Sequence, residues 1–105
     1  MFLYTMIKYF SISKTPKILH FGKDNSKITI LLIAGTHGNE PAGSIYLTDQ
    51  SIIGKIKDCA KEYNIKIIVI PKVNELGFIL NKRKVPDTIP WDLNRAYPKK
   101  GDQGV

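Results

Sequence analysis

His37-Gly38-Asn39-Glu40 sets an imidazole and a carboxylate three residues apart, so both can reach one ion from a single turn of backbone. Zinc accepts such nitrogen and oxygen ligands, and a hydrolytic zinc site adds a third protein ligand and an open position for water. Gly35 and Gly38 flank the histidine and supply the backbone freedom that a tight loop needs. The plainer alternative is that Glu40 only lends a negative charge to the start of a helix. A second stretch, Asp92-Leu93-Asn94-Arg95-Ala96-Tyr97-Pro98, puts an amide beside a guanidinium. The arginine fork matches a carboxylate, and asparagine adds a donor to the same oxygens, so Asn94 and Arg95 suit a substrate with a free acid group. Taken alone, the pair also reads as a surface arginine beside a turn asparagine.

Both stretches need elements to hold them. Ile28 to Ala34 is a nearly unbroken apolar run with three isoleucines, which predicts a central strand covered on both faces. His37 then follows the carboxyl end of that strand, where open α/β sheets keep their ligand crevices. Pro41 opens a helix, because the first turn tolerates its missing N–H. Ile45, Ile52, Ile56, Cys59 or Ala60, and Tyr63 continue at helical spacing, with Asp49-Gln50-Ser51 or Gly54 as the place where the helix divides. Ile65 to Ile70 is a second β-branched run ended by Pro71. Strand, helix, strand implies a right-handed crossover and a parallel pair. Upstream, Lys8 to Phe21 alternates loosely around Thr15-Pro16, which predicts an edge hairpin. From Asn74 to Pro98 three prolines, one glycine and no sustained period predict a loop. The fold class expected is α/β, one domain over residues 1–105, with a mixed sheet, an N-terminal edge hairpin and parallel central strands.

Composition narrows the partners. With 43% hydrophobic and 24% charged residues the chain is ordinary globular material rather than a disordered one. Sixteen basic against nine acidic residues give +7, an excess that can steer anions or nucleic acid. Only two of the sixteen are arginine, and the lysines are not interleaved with aromatics as a stacking platform needs. Nucleic-acid binding therefore ranks last, behind lysine as a solubilising surface residue. The lone Cys59 allows no intrachain disulfide, in keeping with a reducing compartment. The first residues lack the pattern of a signal peptide, and no stretch approaches the roughly 20 apolar residues of a membrane span. A cytoplasmic protein without membrane contact is expected.

Three stretches in order, Gly35-Thr36-His37-Gly38-Asn39-Glu40-Pro41, Val73-Asn74-Glu75-Leu76-Gly77-Phe78 and Asp92-Leu93-Asn94-Arg95 with Pro98, resemble the zinc carboxypeptidase family and its relatives, the succinylglutamate desuccinylases and aspartoacylases. The resemblance implies that His37 and Glu40 are the first two ligands of Zn2+, and that Asn94 and Arg95 hold the terminal carboxylate of the substrate. It makes Arg83 the candidate for polarising the scissile carbonyl, with Lys82 or Lys84 as alternatives in register. The substrate implied is a peptide or an N-acyl amino acid with a free carboxylate. The first motif is the more acylase-like; Asn74 to Phe78 and the proline after the Asn-Arg loop are the more peptidase-like, and the peptidase reading is preferred slightly.

The departures are as informative. The family's third zinc ligand is a downstream histidine and its general base a glutamate farther on, yet after Arg95 this sequence has neither residue type. His20 lies upstream and reads as a strand residue. The motif that usually runs Asn-Pro-Asp-Gly reads Asn74-Glu75-Leu76-Gly77. The expectation is an N-terminal part of such a domain, with little turnover by itself and an apolar sheet surface that promotes self-association. A non-catalytic module that keeps only the carboxylate grip is the competing reading.

Overall fold

The structure is a computed structural model that describes residues 16–86 and 92–95. Strand β1 (Leu19–Phe21) leads through a turn to β2 (Thr29–Ile33), then helices α1 (Ala42–Thr48) and α2 (Gln50–Glu62), strand β3 (Lys66–Ile70), helix α3 (Glu75–Leu80) and a 3-10 turn at Leu93–Arg95. The sheet order is β1-β3-β2, with β2 parallel to β3 and β1 antiparallel to it. The mixed sheet, the parallel β2–β3 pair and the crossover between them match the sequence reading. Of the predicted hairpin, β1 is a described edge strand that carries His20, and its partner strand falls outside the described residues.

Two expectations need correction. β2 is not the central strand covered on both faces: β3 is central, and among the described residues β2 lies at the edge. Ile30, Leu31 and Ile33 are 40%, 53% and 41% exposed. An apolar run records that a strand is made to be covered, not which described element covers it. The long loop after Val73 is also interrupted, because Glu75–Leu80 is a helix. Six residues are under two turns, too few for a helical period to register; its caps make it possible. Asn74 Oδ1 accepts from the Gly77 N–H at its start, and Asn81 takes a left-handed conformation at its end, so that Lys82 N–H reaches Gly77 O at 2.8 Å.

The helical break falls at Asp49, whose side chain accepts from the N–H groups of Ser51 and Ile52 and starts α2 afresh. Gly54 stays inside α2. The helix ends as α3 does, with Asn64 left-handed and Ile65 N–H bonded to Ala60 O. Helices α1 and α2 seat the core, in which Leu47 and Ala60 meet Ile67 and Val69 of β3, with Leu19, Phe21, Leu32 and Ile56 around them. No helix among the described residues is long and apolar enough to cross a membrane.

Candidate active site

The parallel strands β2 and β3 end side by side, and the chain stays paired beyond the sheet. Ala34 O accepts from Val73 N–H and Gly35 O from Asn74 N–H, both at 2.9 Å. The two segments that leave the strands are thereby locked together at the carboxyl edge of the sheet, the position at which α/β proteins build sites. Gly35 makes the turn at φ +75°, where a Cβ would lie 2.7 Å from Ser44 Oγ and 3.0 Å from the Lys72 backbone. Glycine is required there on both counts.

His37 hangs from this turn with both ring nitrogens engaged. Nδ1 is 2.6 Å from Glu40 Oε2, and Nε2 is 3.0 Å from Asp92 Oδ1. The His37 and Asp92 side chains are each 14% exposed, and Glu40 is 63% exposed. Arg83 spans the two carboxylates, with its guanidinium 3.7 Å from Glu40 and 3.6 Å from Asp92. Arg83, and not Lys82 or Lys84, is thus the cation that faces them among the described residues. Glu40 lies just before α1, and its carboxylate contacts His37 and Arg83.

Asp92 was legible as part of the Asp-Leu-Asn-Arg string but not as a member of the site. Its Oδ1 accepts from the Asn94 N–H at 2.9 Å as well as facing His37, and Arg95 N–H donates to its backbone carbonyl at 3.0 Å. An aspartate two residues before its own backbone donor is the signal of such a turn. Burial pushes the Asp92 carboxyl up, but the hydrogen bonds from Asn94 and His37 and the charges of His37 and Arg83 outweigh it and leave the group below the ordinary 3.8. Asn94 and Arg95 sit on this turn with exposed side chains. The structure therefore gathers His37, Glu40, Arg83 and Asp92 by direct contact, and brings Asn94 and Arg95 to the same edge through Asp92.

The donor set suits a metal such as zinc in one respect. An imidazole nitrogen and a carboxylate oxygen adjoin, and the far nitrogen is held by a second carboxylate, which is how metal-binding histidines are commonly oriented. Were Asp92 to take the Nε2–H, Nδ1 would be the nitrogen left for a metal on the Glu40 side. Among the described residues no group of three or more His, Cys, Asp or Glu converges as a metal site, because Glu40 and Asp92 lie on opposite sides of the ring. Beside them an open groove of about 430 Å³ is lined by Gly35, Thr36, His37, Glu40 and Gly43.

A parallel crossover with a histidine, two carboxylates and an arginine at its carboxyl edge describes a small α/β domain with a polar cluster at that edge. Residues 26–104 match the family model of the succinylglutamate desuccinylase/aspartoacylase catalytic domain, and the chain belongs to that family. The match covers all three motifs. It falls on the branch of hydrolases that act on N-acyl amino acids, not on the peptidase branch preferred from the sequence. No curated protein and no solved structure matches the chain.

Proposed function

We propose that this chain carries part of the active site of a zinc-dependent N-acyl amino acid hydrolase, one that cleaves an amide beside a free carboxylate. The observation that carries the reading is His37 held between Glu40 at Nδ1 and Asp92 at Nε2, with Arg83 against both carboxylates. His37 and Glu40 would be the protein ligands that this chain gives to the metal. Bound zinc in such a site lowers the pKa of a coordinated water towards about 7 and polarises the carbonyl.

The remaining residues do their work as fixed charges and donors. With a metal at Nδ1, Asp92 would hold the remaining ring N–H at Nε2. Arg83 is the preorganised positive donor for the carbonyl oxygen as charge develops on it. Asn94 and Arg95 grip the substrate carboxylate by a fork and an added amide. No glutamate or histidine follows Arg95 in the sequence, so neither a third ligand nor a base for the attacking water is assigned to this chain.

Zinc titration of the purified chain beside His37→Ala and Glu40→Ala tests the reading, with hydrolysis of an N-acyl amino acid followed in parallel. Zinc binding weaker than that of a three-ligand site, and lost in both variants, is expected, with little turnover. Binding indistinguishable between the chain and its variants would remove the metal role. Retained binding of an N-acyl amino acid in the absence of zinc binding would favour a carboxylate-binding module.

A further inference from the structure

Asn74 is 3% exposed, one of two buried polar residues among the described residues, and its backbone and side-chain groups bond to three parts of the site's frame. Its N–H donates to Gly35 O at 2.9 Å, and its carbonyl accepts from Phe78 N–H at 2.9 Å. Its Oδ1 accepts from Gly77 N–H at 3.0 Å, and its Nδ2 donates to the backbone carbonyl of Arg83 at 3.3 Å. That same Arg83 carbonyl accepts from Gly38 N–H at 3.3 Å. One carbonyl therefore ties together the loop that carries His37, the residue that supplies the guanidinium, and the start of α3.

The packing leaves these three pieces no slack. A Cβ at Gly38 would lie 2.2 Å from Gly77 C and 2.3 Å from Lys82 O, and a Cβ at Gly77 would lie 2.4 Å from Asn74 Nδ2. Gly38 packs directly on Gly77, and Gly77 on the Asn74 amide. Helix α3 needs the cap, but a cap requires only the acceptor. The Nδ2 donor is spent on Arg83.

We propose that Asn74 is a positioning residue, whose side-chain N–H fixes the His37–Glu40 loop against the Arg83 segment. The inference rests on the reading above that these groups act together. Asn74→Asp separates the two roles, since it keeps the size and the acceptor for Gly77 N–H and removes the donor to Arg83. Asn74→Ala removes both and serves as the comparison.

Amide hydrogen exchange and zinc affinity are measured on the full chain, well below the unfolding midpoint of each variant. In Asn74→Asp the Gly38 amide is expected to exchange about tenfold faster or more, while the β3 amides stay within about twofold, because a local tie has been lost and not global stability. Zinc affinity should fall roughly tenfold, the scale seen when outer partners of a metal ligand are removed. Unchanged Gly38 exchange overturns the proposal, as does equal acceleration of Gly38 and β3, which marks a purely structural residue. If the unsubstituted chain binds no zinc, the functional reading fails, and Gly38 exchange still decides the role of Asn74.

Discussion

The imidazole of His37 is the residue on which the site turns, and Asp92 is what holds it. A histidine offers either nitrogen as donor or acceptor, so a metal role requires that one tautomer be selected. Removing the partner by Asp92→Ala is expected to weaken zinc binding by about 10- to 100-fold, whereas Asp92→Asn, which keeps an acceptor but no charge, should lie between. Competition titration with a chromophoric chelator reads both. The same aspartate sets an acid limit. Its carboxyl is depressed below 3.8 in the folded chain, so the stability it contributes is complete above that ordinary value and is lost as pH falls through the depressed one. The thermal midpoint of the chain should therefore fall as pH drops below about 4, and more steeply than that of Asp92→Asn. Equal slopes for the two would show that Asp92 is not coupled to folding.

At the scale of the elements, two glycines make opposite predictions. Gly54 sits inside α2 with nothing within 4 Å of where a Cβ would be. Gly54→Ala should raise stability by roughly 0.5–1 kcal/mol, the usual difference between the two residues in a helix interior. Gly38 has Gly77 and Lys82 backbone at 2.2 and 2.3 Å from its ideal Cβ, so Gly38→Ala should cost at least about 1–3 kcal/mol of overpacking. Urea unfolding measures both, and a neutral Gly38→Ala would disprove the close packing of the two loops. These glycines also show what the sequence could express. The strands, the helical break at Asp49 and the motif order were legible because each has a local cause in side-chain pattern or capping chemistry. Helix α3 was not, since its stability comes from two asparagine caps and from contact with the Gly38 loop, neither of which leaves a period. Asp92 was passed over because its task depends on His37, 55 positions away. The Asn-Arg pair was read from its chemistry alone, and the turn that carries it to the site is closed by the residue that was missed.

For the whole molecule the decisive feature is an apolar surface on β2. Leu31 and Ile33 share the sheet face that α1 and α2 do not cover, alongside Ile68 and Ile70 in register with Leu31 and Ile33. No charged residue interrupts the sequence between Ile28 and Ala34. Among the described residues β2 is an edge strand, and such a strand usually carries a lysine, a proline or a bulge to prevent pairing with another chain. The +7 charge opposes association at long range, but it is screened by salt while the apolar contact is not. The chain should therefore associate with itself more as salt rises, the reverse of what a contact made by ion pairs would do. Leu31→Lys places a charge in the middle of the edge at a position already 53% exposed, so it should change stability little and suppress association strongly. Sedimentation velocity at low and high salt separates the cases. A monomer at all concentrations and salts would mean that the β2 face is covered, and association that survives Leu31→Lys would place the contact elsewhere on the molecule.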